Sequence, residues 1–171
     1  AAQWISKSAA QGLPMAQYRL GVLYERGKGV PRDLGAAAEW YEKAASNGNR
    51  KAMHNLAVLF AEGGLGQPDY TQAARWFQAG ADLGLKDSQY NLAILYERGL
   101  GVQVNLIESY RWYAAAAGQG DADAKARLGA IEAKLTPDDL QRAKAAFAAY
   151  RPKPMNRAAN ETPTFTTTAG N

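Results

Sequence analysis

The chain has 171 residues, of which 47% are hydrophobic and 21% are charged, a content that can bury a substantial core in one elongated domain. Its net charge of +4 at pH 7 is partly due to Arg151, Lys153 and Arg157, and residues 1–150 are nearly neutral. Charges alternate in sign along the chain, which argues against the one-sided basic surface of a nucleic-acid-binding protein. The absence of cysteine excludes disulfides and thiolate chemistry but leaves the compartment open.

A spacing of 36 residues recurs along the chain without insertion or deletion. Its clearest markers are a leucine and a tryptophan in each unit: Leu20, Leu56, Leu92 and Leu128, and Trp4, Trp40, Trp76 and Trp112. A period of this length is typical of solenoids, in which each unit buries its apolar face by stacking on its neighbours. Because small residues accompany each tryptophan, we predict that all four indoles lie in the core.

The first element, residues 2–11, aligns with the second helix of a unit whose first helix is missing. With no initiator Met, this start predicts that the chain is part of a longer protein. We assign residues 1–15 to this half repeat. Three complete repeats follow, at residues 16–51, 52–87 and 88–123.

Each complete repeat is predicted to contain two helices. In the first repeat, Ala16, Leu20, Leu23 and Tyr24 form one apolar helical face, and the helix ends at Gly27. The second helix of each repeat begins at a residue whose side chain can cap it, which is Asp33, Asp69 or Asn105.

The fourth repeat begins normally and then departs from the pattern. Glu132 replaces the aromatic residue at the position of Tyr24, and Thr136 with Pro137 indicates the start of a new helix. Terminal repeats are atypical because one face meets water, so we predict a degenerate repeat and capping helix over residues 124–150. Residues 151–171, rich in Pro and Thr, are predicted to form a tail or linker.

The pattern Ala-x-Tyr-x-Leu-Gly-x-Leu-Tyr-x-x-Gly-x-Gly-Val-x-x-Asp, then Ala-x-x-Trp-Tyr-x-x-Ala-Ala-x-x-Gly, is intact from Ala16 to Gly48. It resembles the Sel1-like repeat family, which is related to tetratricopeptide repeats. The resemblance covers about Trp4 to Gly129 and implies an all-α, right-handed superhelical solenoid. It also implies a non-enzymatic scaffold for protein–protein interaction, with no cofactor.

A narrower resemblance depends on the C-terminal part. Leu135-Thr-Pro-Asp-Asp-Leu140, an Ala-rich helix, Tyr150-Arg-Pro-Lys-Pro154 and Asn160 resemble the end of the Sel1 array in alphaproteobacterial polarity factors of the PodJ type. In those proteins a cytoplasmic coiled coil and one membrane span precede a periplasmic Sel1 region, which a peptidoglycan-binding module follows. The resemblance implies a periplasmic, cell-pole location within a membrane-anchored protein. It also implies recruitment of envelope proteins for pilus, adhesin or division functions.

In the geometry of the family, one row of polar and aromatic residues lies toward the concave face. We call this row the candidate surface: Tyr18, Glu25, Arg26, His54, Asn55, Glu62, Tyr90, Asn91, Glu97 and Arg98. Aromatic residues with arginine are common anchors of interfaces, although a solvated inner face is the simpler interpretation. By analogy with peptide clamps, Lys51, Asn55, Asn91 and Arg127 form a possible backbone-binding set, with a structural bridging role favoured.

Other kinds of site find little support in the sequence. His54 is the only histidine, so a metal site or an activated serine would have no second histidine. Two alternatives to a polarity scaffold remain open. One is a periplasmic regulator that binds and inhibits a sensor histidine kinase, and the other is a peptidoglycan-binding module using Tyr18 and Tyr90.

Overall fold

The computed structural model describes residues 2–161, and within this range the chain is helical with no strand. The helices are α1 (Ala2–Ala10), α2 (Pro14–Arg26), α3 (Leu34–Ser46), α4 (Arg50–Ala61), α5 (Tyr70–Asp82), α6 (Lys86–Arg98), α7 (Leu106–Gly118), α8 (Ala122–Glu132), α9 (Pro137–Ala149) and α10 (Arg157–Asn160). Helices α1 to α7 each pack on the next helix in the chain, and α9 packs on α7. The prediction of an all-α repeat solenoid is confirmed.

The helix ends follow the predicted local signals. The side chains of Asp33, Asp69 and Asn105 accept hydrogen bonds from backbone amides three residues on, at 2.9 to 3.1 Å. Each bond satisfies one free amide in the first turn of its helix. At the ends of α2 and α6, Gly27 and Gly99 have φ of 63° and 70°, a left-handed conformation that favours glycine.

The core of each repeat pairs a large ring with a small residue. Tyr41, Phe77 and Tyr113, on the second helices, are at most 2% exposed. They share one position in the 36-residue period, at which they pack beneath the preceding first helix. Gly21 of α2 lies so close to Tyr41 that a Cβ there would stand 2.6 Å from the ring. Ala57 and Ala93, fully buried, hold the same position as Gly21 in α4 and α6.

The four tryptophans are not equally buried, which corrects the prediction that all of them lie in the core. Trp112 is 0% exposed, Trp40 and Trp76 are partly buried, and Trp4 is 74% exposed. The gradient follows the cover that each receives. Trp112 receives the most cover, because helix α9 packs over α7 and the Tyr150 ring lies 5.2 Å from that of Trp112.

Residues 150–161, which we call the C-terminal strap, run back over the loops that connect successive repeats. The Tyr150 hydroxyl donates to the Ala81 carbonyl at 2.8 Å. The backbone amide and the Nζ of Lys153 both donate to Asp82, to its carbonyl and its carboxylate, each at 2.7 Å. The strap thus begins at the C-terminal end of α5.

The strap ends on the loop between α3 and α4. The side chain of Asn160 accepts from the Arg50 amide and donates to the Gly48 carbonyl, both at 2.9 Å. Asn49 in turn donates to the carbonyl of Ala159, which is 0% exposed. Within the predicted tail or linker, residues 151–161 thus contact the repeats. The rest of that prediction, residues 162–171, lies outside the described residues.

Candidate interaction surface

In the first repeat, the predicted site residues meet a tyrosine that the sequence analysis left out. Tyr41 of α3 donates its hydroxyl to the Glu25 carboxylate of α2. Asn55 of α4 donates to the same hydroxyl at 3.1 Å, and the Tyr18 ring lies 5.9 Å from the Tyr41 ring. Burial and the hydrogen bond to Glu25 raise the pKa of Tyr41. The cluster ties three consecutive helices together.

The third repeat contains an equivalent cluster. Tyr113 donates to Glu97 at 2.9 Å, and the Tyr90 ring lies 5.7 Å from the Tyr113 ring. Two cations of the fourth repeat reach the same carboxylate, Lys134 at 3.1 Å and Arg127 at 3.7 Å. Burial acts to raise the pKa of Glu97, but the hydrogen bonds from Lys134 and Tyr113 and the two positive charges outweigh it, and the pKa is lowered.

The middle repeat lacks both members of the hydrogen-bonded pair. Ala61 replaces the glutamate and Phe77 replaces the tyrosine, so a hydroxyl and its acceptor are absent together. His54 occupies the position of Tyr18, with its ring 5.5 Å from Phe77 and its Nδ1 3.1 Å from the Ser88 hydroxyl. Burial lowers the pKa of His54, and the nearby charge of Asp87 opposes this only in part. The imidazole is therefore neutral at pH 7.

The two predicted asparagines do different things. Asn55 bridges to Tyr41, whereas Asn91 donates at 2.8 Å to the Asp87 carbonyl within its own helix. The roles differ because the residue that corresponds to Tyr41 in the next repeat is Phe77, which has no hydroxyl to accept a hydrogen bond from Asn91. These contacts agree with the structural role that the sequence favoured for Asn55, and Lys51 is exposed.

The remaining candidates are charged residues at one position of the period. Arg26, Glu62 and Arg98 each stand near the C-terminal end of a first helix, and all three are exposed. The structure thus divides the candidate surface into buried clusters that hold the rings and exposed charges beside them. The sequence analysis did not include three residues of these clusters, Tyr41, Tyr113 and Lys134. The sequence does show one relevant signal, which is the joint change from Tyr and Glu to Phe and Ala in the middle repeat.

Neither metal binding nor membrane spanning is supported between residues 2 and 161. This part of the chain holds no group of three or more His, Cys, Asp or Glu placed to bind a metal ion. Among the same residues, no helix combines the length and apolar character needed to cross a bilayer.

Comparison with known proteins gives one family and several structures. The Sel1 repeat family model matches residues 14–49, 50–85 and 86–121. A Sel1 repeat protein from Oxalobacter formigenes is 31% identical with a TM-score of 0.68, over 74% of this chain and 96% of that one. The protein c5321, a protective antigen present in uropathogenic Escherichia coli strains and displaying an SLR fold, is 28% identical with a TM-score of 0.65. That match covers 87% of this chain and 40% of c5321. A search of curated proteins found no match.

Proposed function

Because the chain belongs to the Sel1 repeat family, whose fold is typical of protein-interaction scaffolds, we propose that it is a non-enzymatic scaffold that binds a protein partner through the candidate surface. The observation that carries the proposal is the anchoring of its rings. Tyr18, His54 and Tyr90 are each only partly buried, and each packs on a buried ring of a second helix.

Anchored rings are suited to binding because little side-chain entropy is lost when a partner arrives. A free surface tyrosine must be ordered on binding, whereas Tyr18 and Tyr90 are already held by the rings of Tyr41 and Tyr113. The exposed charges of Arg26, Glu62 and Arg98 then supply polar contacts at the rim. This combination of central aromatic anchors and a charged rim is common in protein interfaces.

We further propose that the protein acts in the bacterial periplasm, near the cell pole, as part of a membrane-anchored polarity factor. The support is the resemblance of Thr136-Pro137, Tyr150-Arg-Pro-Lys-Pro154 and Asn160 to the end of the array in such factors. In this role the candidate surface recruits envelope proteins. A fluorescent fusion of the complete gene product tests the location, since diffuse fluorescence over the cell body would contradict it.

The binding test compares the full chain with one triple variant and one double variant. In the first, Tyr18, His54 and Tyr90 are changed to Ala; in the control, the exposed α9 residues Gln141 and Lys144 are changed to Ala. Envelope proteins captured by the parent and by the control but lost by the triple variant would support the proposal. Equal capture by all three would contradict it. Circular dichroism checks that each variant is folded.

The same variants distinguish the alternatives. A kinase regulator would capture a sensor domain through the candidate surface. A peptidoglycan-binding module would instead sediment with isolated cell wall, and would lose this when Tyr18 and Tyr90 are changed to Ala.

A further inference from the structure

Three departures from the 36-residue period meet at one point in the structure. His54 replaces a tyrosine, Ser88 replaces an alanine, and Gly80 replaces a further alanine. The Nδ1 of His54 lies 3.1 Å from the Oγ of Ser88, and a Cβ on Gly80 would stand 2.6 Å from the same Oγ. The glycine therefore provides the room that this hydroxyl needs. The three residues form one unit, which we call the His54 cluster.

The buried hydroxyl of Ser88 determines which nitrogen of His54 carries the hydrogen. Ser88 is 0% exposed, and among residues 2–161 the imidazole is the hydrogen-bond partner of its side chain. If Nδ1 carried the hydrogen and donated it to Ser88, the hydrogen of the serine would be buried without an acceptor, which costs about 1 to 3 kcal/mol. Ser88 therefore donates to Nδ1, and the hydrogen of the neutral imidazole is on Nε2.

The Nε2–H group of His54 is open to a ligand. In the described part of the chain, the side-chain nitrogens that are buried without a hydrogen-bond partner are Nε of Arg111 and Nε1 of Trp112. The Nε2 of His54 has no partner among the same residues and is not one of these buried atoms, so it reaches the surface. The ring is held on Phe77, with the ring centroids 5.5 Å apart. His54 thus presents a fixed donor, whereas a tyrosine hydroxyl at this position can both donate and accept.

The charge beside this donor decides which acceptor it takes. Asp87 is exposed in the first turn of α6. Lys51 lies one turn before His54 on α4, but the charge that acts on the imidazole is that of Asp87, which works to raise the pKa of His54. A carboxylate brought to Nε2 would be repelled by Asp87, whereas an uncharged carbonyl would not. The acceptor that fits is therefore a backbone carbonyl.

We propose that the His54 cluster binds a backbone carbonyl of an extended segment of the partner protein, with a Lys or Arg of that segment beside Asp87. The segment is extended because the carbonyls within a helix are already bonded to the amides of the same helix. This inference rests on the proposed function, since it names the chemistry of the partner at the middle of the candidate surface. Ser88 is a positioning residue, because it is buried and holds the donor in place without touching the partner.

The first part of the test detects the hydrogen on the imidazole directly. His54 is the only histidine, so the full chain with isotope-labelled histidine gives signals that need no assignment. Above pH 7, nitrogen–proton correlation spectra are expected to show a protonated Nε2 and an unprotonated Nδ1. The Ser88→Ala chain is expected to contain a larger share of the other tautomer. A protonated Nδ1 in the parent, or a spectrum that Ser88→Ala leaves unchanged, would overturn the proposal.

The second part selects peptides from a displayed library of random linear sequences on the immobilised full chain. The selected peptides are expected to share a Lys or Arg and to exclude Asp and Glu from the neighbouring positions. Asp87→Lys should reverse this preference. Asp123→Lys is the matched control and should not, because Asp123 is likewise exposed at the same position of the period, but its repeat has Ala126 at the position of His54. Selection of acidic peptides by the parent, or equal effects of the two substitutions, would contradict the inference.

Affinities of one selected peptide then locate the hydrogen bond. His54→Phe keeps a ring but has no donor, and should weaken binding about tenfold. His54→Gln keeps an N–H donor and should bind nearly as well as the parent. A backbone ester is a weaker acceptor than an amide, so an ester at one position of the peptide should weaken binding to the parent but not to His54→Phe. Equal binding by the parent and His54→Phe, or an ester scan without such a position, would refute the proposed hydrogen bond.

The outcomes also separate this inference from the proposed function. If the triple variant of Tyr18, His54 and Tyr90 loses the peptides but His54→Phe keeps them, the candidate surface binds a partner and this inference alone fails. If the triple variant keeps the peptides, both fail. If the library yields no binder, the inference of an extended segment is overturned, and the capture of envelope proteins still decides the proposed function.

Discussion

The coupling between Glu97 and Tyr113 can be measured with a double-mutant cycle. Glu97→Ala leaves the hydroxyl of a fully buried tyrosine without its acceptor and removes the two cations' partner, so we expect a loss of about 2 kcal/mol in the free energy of unfolding. Tyr113→Phe removes the same hydrogen bond but leaves Glu97 its contacts with Lys134 and Arg127, which suggests a loss of about 1.5 kcal/mol.

The double variant reproduces the Ala and Phe pair of the middle repeat and leaves no orphaned hydroxyl. We therefore expect a loss of about 2 kcal/mol for both changes together, about 1.5 kcal/mol less than the sum. In urea this coupling moves the midpoint by about 0.75 M if the denaturant slope is about 2 kcal/mol per M. Coincident circular dichroism and tryptophan fluorescence transitions are required, because repeat arrays do not always unfold in one step.

The exposed Glu62 provides the control. Glu62→Ala combined with Tyr113→Phe is expected to be additive, since the two residues are in different repeats and share no hydrogen bond. If Glu97→Ala and Tyr113→Phe also add to within about 0.5 kcal/mol, the matched-pair reasoning is refuted.

Three further predictions concern His54, Asn160 and the glycines. Because burial holds the pKa of His54 below its usual value, the unfolded chain binds a proton at a higher pH than the folded chain. The free energy of unfolding should therefore fall as the pH drops below about 6.5 and level off below the pKa of the folded state. Urea midpoints measured against pH should show a larger fall in the parent than in His54→Gln. Asn160→Ala removes two hydrogen bonds between the strap and the repeats and should lower the free energy of unfolding by about 1 to 2 kcal/mol. Arg157→Ala, at an exposed strap residue, should leave the free energy of unfolding almost unchanged. Equal effects of the two substitutions would contradict the described strap. Gly101→Ala should be more destabilising than Gly12→Ala in thermal unfolding, because both have positive φ but only a Cβ at Gly101 would overlap the Tyr70 backbone.

Local signals in the sequence predicted the helices well. The 36-residue period located both helices of each repeat, and Asp33, Asp69, Asn105 and Thr136 cap helices as expected. These features depend on residues a few positions apart, so a pattern along the chain contains the information needed.

The features that were missed depend on residues far apart in the chain. The burial of Trp112 comes from α9 and Tyr150, whereas Trp4, at the same position of the repeat, is 74% exposed. The different roles of Asn55 and Asn91 depend on whether the facing ring has a hydroxyl. The strap contacts are mostly hydrogen bonds to backbone carbonyls and amides, which leave no hydrophobic pattern to recognise.

The C-terminal strap also affects how the chain reaches its folded state. A solenoid built only from neighbouring contacts can fold from any repeat and propagate outward. The contact of Asn49 with Ala159 instead closes a loop over 110 positions of the chain. During synthesis, the repeats would emerge and pack before the strap exists, so its docking would come last. Once docked, the strap couples local unfolding of the first repeat to local unfolding of the third. A destabilising substitution in one of these repeats would therefore also lower the stability of the other.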